Sequence, residues 1–493
     1  MPYINIVEED VTPLVSFDTI ENVVLIFGLD YHFNSTYDPN ASGSVETYDY
    51  KLYTSVRDFI SDIRILSGNK STSGANIISD RAYITAYDCL INGLPVMYVP
   101  LDKYLSQLNK VSGFEDMILY DFLNRPENVP IVPTDPSDFE NSYWGGVTDS
   151  EGNNITLAIA QELYTLYTSN DNKNAIGAAI KELSSKTLED GSPVLELSDK
   201  VNFPITFITT CGFENHKEDS GKLYPVIAPL LGDRLDLLYL YDLPFDDTPE
   251  YISSKIKTEE GLNLSISTGE RVNMVYPWGH YNSYSGINAM HMPGSYGYLM
   301  AYANSIKNNK PWLAAAGVNR GIIPNIVSLD YKIRESYIHL WQGDMDLRAD
   351  DDRLSFKINP IVDLGSNYGK VIFGNRTCYD ALSESVIAFK NFLNVRILLA
   401  FIHKQAFNSS IQHMFEPNDD IVWLSFKQKV NDLLDQMVSG RGLRWYKWYK
   451  LRPDKLGQIK ARLTIRPIEA VESFEVIISM TDAEIEVKEE LEG

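Results

Sequence analysis

Few stretches of this chain carry residue types that could do chemistry. Gly68-Asn69-Lys70-Ser71 has the closing look of a phosphate loop, where backbone N–H groups and a lysine cradle phosphates. The glycine that such a loop requires earlier is replaced by Ile63, so no nucleotide site is expected. Asp344, Asp346, Asp350, Asp351 and Asp352 could ligate a cation, but they lack the central Gly and terminal Glu of a calcium loop. A solvated hairpin tip is expected there. No two histidines stand four apart and no HExxH occurs. His403 and His413, on one expected helix, read as core or interface residues. No GxSxG elbow is present, and carboxylates are too plentiful to nominate an acid–base pair. Cys89, Cys211 and Cys378 are far apart without a CxxC spacing, which points to buried free thiols rather than a disulfide framework or zinc site. The Asn-x-Thr matches at Asn34 and Asn375 have no secretory signal before them and read as chance. No catalytic residue, metal or cofactor is therefore expected, and the chain is not read as an enzyme.

One charge contrast remains. Arg441, Arg444, Lys447, Lys450, Arg452, Lys455, Lys460, Arg462 and Arg466 form a basic block interleaved with Trp445, Tyr446, Trp448 and Tyr449. It could be a nucleic-acid groove, an ordinary basic face, or a docking face for an acidic protein. The net charge of the 493-residue chain is −24, which disfavours nucleic acid. The closing stretch Asp482, Glu484, Glu486, Glu489, Glu490 and Glu492 carries the complementary sign.

Strand and helix patterns alternate in the elements that must position these residues. Val23 to Gly28 reads as a buried strand, Thr54 to Ile65 as a helix burying Val56, Phe59, Ile60 and Ile63, Arg81 to Ile91 as a second helix, and Pro95 to Val99 as a strand. Residues 124–155 are rich in turn formers. Leu157 to Leu166 and Ala175 to Leu183 look helical. Pro204 to Thr210 and Leu235 to Tyr241 resume the strands, with a helix over Pro249 to Lys257. This alternation implies an α/β sheet interrupted by an insertion at 105–200. Ser383 to Met414 reads as a long buried helix. Val422, Phe426, Val430, Leu433 and Met437 stripe another, capped by Asn418 or Asp419 and stopped by Gly440 and Gly442. Ile459 to Arg466 and Phe474 to Met480 alternate like strands. Tyr3, Ile4, Ile6 and Val7, and Ile485 and Val487, are short strand-forming runs with no evident place in their own domain. Thirty tyrosines suggest many contact surfaces. The N-terminal stretch is not a signal peptide, and no run approaches the ~18 apolar residues of a membrane span.

Several stretches in order resemble the contractile bacteriophage tail sheath family. Pro311-Trp312-Leu313-Ala314-Ala315-Ala316-Gly317-Val318-Asn319-Arg320-Gly321 is similar to its first C-terminal signature, with Ala315 where the family has Pro. Gly369 to Thr377, ending Gly374-Asn375-Arg376-Thr377, resembles the second. Asn394-Val395-Arg396, Phe415-Glu416-Pro417-Asn418 and Trp423 follow in family order. Upstream, Val275-Tyr276-Pro277-Trp278, Asp242-Leu243-Pro244 and the arm from Tyr3 to Asp10 are fainter matches. The likeness covers 271–480 well, 1–100 and 200–270 in part, and 105–200 not at all.

The resemblance implies an α/β and α+β multidomain chain. Its expected parts are an N-terminal linking arm (1–20), an α/β sheath domain (21–104 and 201–300), an inserted outer domain (105–200), a conserved C-terminal sheath domain (301–480) and an acidic arm (481–493). It implies a structural subunit that polymerises helically, in hexameric rings, around a tail tube protein and contracts to drive the tube through the host envelope. Tyr3, Ile4, Ile6, Val7, Ile485 and Val487 would be the inter-subunit arms, exchanging strands with neighbours. Arg441, Arg444, Lys447, Lys450 and Arg452 would dock on the tube or a neighbour. Baseplate and tail terminator proteins are the further partners; nucleic-acid contact and membrane insertion are not expected. The expected location is the virion tail after synthesis in the host cytoplasm. The alternatives are the sheath of a phage-tail-like injection particle and an α/β enzyme without a recognisable site.

Overall fold

The computed structural model describes residues 22–28, 31–32, 50–64, 81–100, 132–146, 154–161, 200, 203–212, 227, 231–232, 234–245, 247–255, 269–286, 288–342, 357–379, 389–453 and 458–468. The expected arms, the Phe474 to Met480 strand, the acidic cluster at 344–352, the Ala175 to Leu183 helix and most of the insertion lie outside them.

Five strands open the chain: β1 (Val23–Gly28), β2 (Tyr31–His32), β3 (Lys51–Tyr53), β4 (Ile63–Arg64) and β5 (Val96–Pro100). β6 (Ile205–Thr209), β7 (Leu238–Asp242) and β8 (Val272–Tyr276) follow, then β9 (Gly279–Tyr281), β10 (Met290–Met292) and β11 (Ile326–Leu329). β12 (Ile358–Asp363), β13 (Lys370–Ile372), β14 (Leu443–Leu451) and β15 (Lys460–Pro467) complete the strands of the described residues. Eight strands form one sheet in the order β13-β12-β8-β7-β6-β1-β5-β3. The run from β12 to β5 is parallel, and β3 and β13 close the two edges antiparallel. A parallel sheet needs cover on both faces. That is why every residue of β1, β6, β7 and β8 is buried.

Strands from both sides of residue 300 share this sheet, so the segments expected as two domains build a common core. Among the described residues, 105–200 adds no strand to it. β1 lies between β5 and β6, and the whole stretch from 101 to 204 joins those two neighbours.

Among the described residues the helices of seven residues or more are α1 (Val56–Asp62), α2 (Arg81–Ile91), α3 (Pro249–Lys255), α4 (Gly294–Ile306), α5 (Glu335–Gln342), α6 (Leu393–Gln412) and α7 (Asp420–Ser439). α1 is shorter than expected, because Ile63 and Arg64 leave it to pair with β2. Its Phe59 is buried, but Ile60 is 44% exposed. α6 begins at Leu393, inside the span Ser383 to Met414 expected as one helix. Thr377 N donates to Asn391 O (2.9 Å) and Arg376 bridges Phe392, which holds that residue extended. β7 starts three residues late, since Arg234 and Asp236 form a buried pair at 2.6 Å in the turn before it.

Much of the tyrosine is core. Tyr298 and Tyr302 stack at 6.2 Å, and Phe207 meets Tyr302 edge-on at 5.1 Å. Tyr53, Tyr98, Tyr239, Tyr276, Tyr281 and Tyr296 are fully buried too. The tyrosine count thus reflects this core as well as any interface. All three cysteines are free and buried.

Candidate interaction surface

The stretches that carried the resemblance meet one another. Trp312 is buried and donates from Nε1 to Gly440 O (3.3 Å) at the end of α7. A Cβ at Gly442 would stand 2.6 Å from the Trp312 ring, so the two glycines make room for the indole as well as ending the helix. Gly321 joins the second signature: Ile372 N donates to Gly321 O (2.8 Å). That signature in turn grips α6, with Asn375 Nδ2 donating to Asn394 Oδ1 (2.7 Å) and Leu393 N to Asn375 O (2.9 Å). Upstream, Trp278 Nε1 donates to Leu243 O (2.8 Å), which ties the Tyr-Pro-Trp stretch to Asp242-Leu243-Pro244. In this chain each of these residues fills space beside another or satisfies its hydrogen bond.

The outward module of this core is α6, α7 and the β14–β15 hairpin. Asp419 caps α7, its carboxylate accepting from Ile421 N (2.9 Å) and Val422 N (3.0 Å). The expected stripe is buried at Val430, Leu433 and Met437 and half-buried at Val422 and Phe426. Trp423 and Leu434 join it. α6 lies over the entrance to β6, where Lys404 donates to Pro204 O (2.9 Å) and to Thr206 Oγ1. His403 is exposed on α6, and His413 follows the helix as its cap, bonded to Ser409 O and Ser425 Oγ.

The basic block resolves into a hairpin whose two faces differ. Tyr446 and Trp448 point at α7: Tyr446 OH donates to Asp435 (2.6 Å) and Trp448 Nε1 to Asn431 (2.8 Å). Trp448 also meets Trp423 edge-on at 5.7 Å. Their cross-strand partners Ile465 and Leu463 are the apolar positions of β15. The opposite face carries Trp445 (45% exposed), Lys447 and Tyr449 (43% exposed), with Arg466 and Arg462 across the ladder from the two aromatics. Lys447 Nζ lies 5.0 Å from the Tyr449 ring centroid.

Of the five expected docking residues, Lys447 alone lies on that outward face. Lys450 sits on the α7 side, 2.5 Å from Asp420, and holds its carboxyl below the ordinary range by hydrogen bonding. Arg444 falls in the register shift between Leu443 and Trp445; Arg441 (φ +60°) and Arg452 flank the strand, both exposed. Among the described residues no further strand pairs with either edge of this hairpin. A two-stranded ribbon to which no third strand is paired is a template for strand addition.

Sequence reasoning missed two buried carboxylates. Asp88 accepts from Tyr296 OH (2.6 Å), Ser283 Oγ (2.9 Å) and Tyr284 N (2.9 Å). Burial pushes its carboxyl up to about 6. Asp242 accepts from Ser295 N (2.7 Å) and Oγ (2.6 Å), and burial pushes it up to about 7. Displaced carboxyls often mark active sites, but both are wholly enclosed and satisfied by the chain's own donors. Asp88 ties α2 to the start of α4 and to the loop after β9, and Asp242 ties the end of β7 to the start of α4. Their donors are so distant in sequence that no local signal could nominate them. Among the described residues no group of three His, Cys, Asp or Glu is placed to hold a metal ion, and no helix is long and apolar enough to cross a membrane.

Comparison with known proteins agrees with the resemblance. Over 176 residues, 35% of this chain, it is 28% identical to the tail sheath protein of Vibrio phage KVP40; the match spans 23% of that protein's length. A chain of the cryo-EM structure of the anti-feeding prophage baseplate shares the fold, with a TM-score of 0.53 at 14% identity. That superposition covers 98% of this chain and 99% of the other. A chain of the contracted sheath complex of the extracellular contractile injection system PVC matches at a TM-score of 0.42 and 16% identity. It covers 66% of this chain and 85% of that one, and no argument rests on it. No protein-family model matches the chain. The first of these is named as a tail sheath protein and the second belongs to a baseplate; neither is named as an enzyme.

Proposed function

We propose that this chain is the structural subunit of a contractile tail sheath. Its copies polymerise in hexameric rings around a tail tube and contract to drive the tube through the host envelope for genome ejection. The observation that carries this reading is the sequence match to a phage tail sheath protein within a chain whose whole fold resembles a component of a contractile particle. The neighbours are joined by strand exchange. Tyr3, Ile4, Ile6 and Val7 from 1–20, and Ile485 and Val487 from 481–493, add to the open edges of the β14–β15 hairpin in adjacent copies. Addition along an edge satisfies the arm's backbone groups and buries its side chains. Such a head-to-tail contact does not close on itself and generates a helix.

Assembly on the tube traps an extended lattice, and a trigger at the baseplate releases it. The subunits then move as near-rigid bodies while the arms keep the mesh connected, so the stored free energy comes from assembly, not from a nucleotide. The insertion at 105–200 lies on the outer surface. Baseplate and terminator proteins cap the array, and the particle matures in the host cytoplasm as a virion tail. A second reading, the sheath of a phage-tail-like injection particle, is favoured by the likeness to the anti-feeding prophage chain.

The test is negative-stain electron microscopy of the purified chain at high concentration, with and without residues 1–20 and 481–493. Wide hollow helical tubes from the intact chain, and monomers from the trimmed one, are expected. Monodisperse monomers from both across salt and concentration would refute the sheath reading.

A further inference from the structure

The turn joining α6 to α7, with the first turn of α7, is an apolar knob. Phe415 is 101% exposed, Ile421 75%, Met414 60% and Leu424 59%. Large exposed apolar side chains gathered on one short stretch of chain mark interaction sites. Phe415 also holds φ at +67°, a left-handed conformation that a bulky L-residue adopts only at a cost. The knob stands on a rigid base. His413 Nε2 bonds Ser425 Oγ (2.8 Å), Lys429 Nζ donates to Gln412 Oε1 (2.5 Å), and Gln405 Nε2 donates to Lys429 O (2.9 Å). Its polar rim is acidic: Glu416, Asp419 and Asp420.

A matching surface exists in the same chain. The outward face of the β14–β15 hairpin shows two half-exposed aromatics, Trp445 and Tyr449, among Lys447, Arg462 and Arg466. It is apolar at its centre and basic at its margin, where the knob is apolar and acidic. The compositions are those of interface anchors. A chain cannot make this contact with itself. Its own α7 lies on the hairpin's inner face, with Asp420 held by Lys450 beside the knob. In a molecule of net charge −24, a local basic face is also where a second copy meets least repulsion.

We infer that the α6–α7 turn of one copy docks on the outward face of the β14–β15 hairpin of a second copy of this chain. This rests on the sheath reading and deepens it. The hairpin's edges remain for the arms, while its face takes a neighbour's knob, with Phe415 over Trp445 and Tyr449 and Glu416 facing Arg462. The contact is head-to-tail, and like the arms it propagates along an open helix.

The experiment uses the full chain, whose natural cysteines are all buried. Phe415→Cys and Tyr449→Cys variants are assembled together, oxidised mildly and run on a non-reducing gel. A disulfide-linked pair is expected in the mixture and in neither variant alone, and the thiol introduced at 415 is expected to lose maleimide reactivity on assembly. Phe415→Asp is expected to raise the critical concentration for assembly by on the order of tenfold or more. Glu416→Arg should weaken assembly, and adding Arg462→Glu should recover it. Near-UV circular dichroism confirms that each variant folds. Tubes that form with no cross-link and a still-reactive thiol at 415 overturn the docking and leave the sheath reading standing. So does a thiol that joins its counterpart at 415, or a co-assembled tube protein. A chain that never forms tubes removes both.

Discussion

Asn359 holds the main chain of Arg376 at both of its polar groups: Nδ2 donates to Arg376 O (2.7 Å) and Oδ1 accepts from Arg376 N (2.8 Å). The same Nδ2 donates to Asn273 Oδ1 (2.7 Å), so one buried amide on β12 joins β8 to the Gly-Asn-Arg-Thr turn. Asn359→Ala would leave a buried N–H and a buried C=O unpaired, each worth about 1–3 kcal/mol. The expected result is a fall of roughly 2–5 kcal/mol in unfolding free energy, read from the urea midpoint. An unchanged midpoint would show that water replaces the amide.

Asp242 gives stability a pH slope. Its carboxyl, buried at the end of β7, is pushed by that burial from 3.8 up to about 7. The folded chain therefore holds this proton more tightly than the unfolded chain. Its contribution is fully present below about pH 4 and is lost as pH rises through about 7. Asp88, pushed up to about 6 by burial, acts in the same direction. Asp242→Asn keeps the shape without the ionisation. Melting temperatures measured from pH 4.5 to 8 should fall less steeply in this variant than in the parent, and parallel curves would refute the assignment.

The first signature contains two glycines with different reasons to be there. Gly317 has φ +72° and open space around it. A Cβ at Gly321 would lie 2.6 Å from Ile372 O and 2.8 Å from the Ala316 backbone. Gly317→Ala should cost about 1–2 kcal/mol, the left-handed penalty alone. Gly321→Ala must push apart the junction of the two signatures and should cost more, with a lower yield of soluble protein. Thermal melts of the two variants side by side decide the order.

Local pattern was enough for β1 and α2, whose bounds match the reading, and for the cap and stop of α7. It failed where distant chain decides. Nothing near Asp88 announces Ser283, 195 residues away. β14 carries no strand signal in the sequence because its two faces alternate aromatic with basic rather than apolar with polar. Trp445 and Tyr449 look no different in sequence from Tyr446 and Trp448. Only α7, lying against the second pair, separates them. For the same reason the five cations of the docking block look equivalent in the sequence.

Trp448 makes that separation testable. Trp448→Ala removes a partly buried indole, its bond to Asn431 and its contacts with Trp423 and Phe426. A loss of about 3 kcal/mol is expected. Trp445→Ala, on the outward face, should leave the melting temperature of the free chain within a degree or two. Equal losses would mean that the outward face is covered within the monomer.

Lys447 and Lys450 should part company in the same way. Lys450 is engaged within the chain, where its ammonium meets Asp420 at the start of α7. Lys450→Glu sets two carboxylates against each other there and should lower the melting temperature of the monomer. Lys447 reaches outward over Tyr449 and meets no acidic side chain within salt-bridge distance among the described residues. Lys447→Glu should melt like the parent, yet reverse the sign of the face that a partner meets, so tubes should fail to form or need a higher protein concentration. If Lys447→Glu assembles like the parent while Lys450→Glu does not, the outward face is not the assembly surface, and the cations that matter are those turned toward α7.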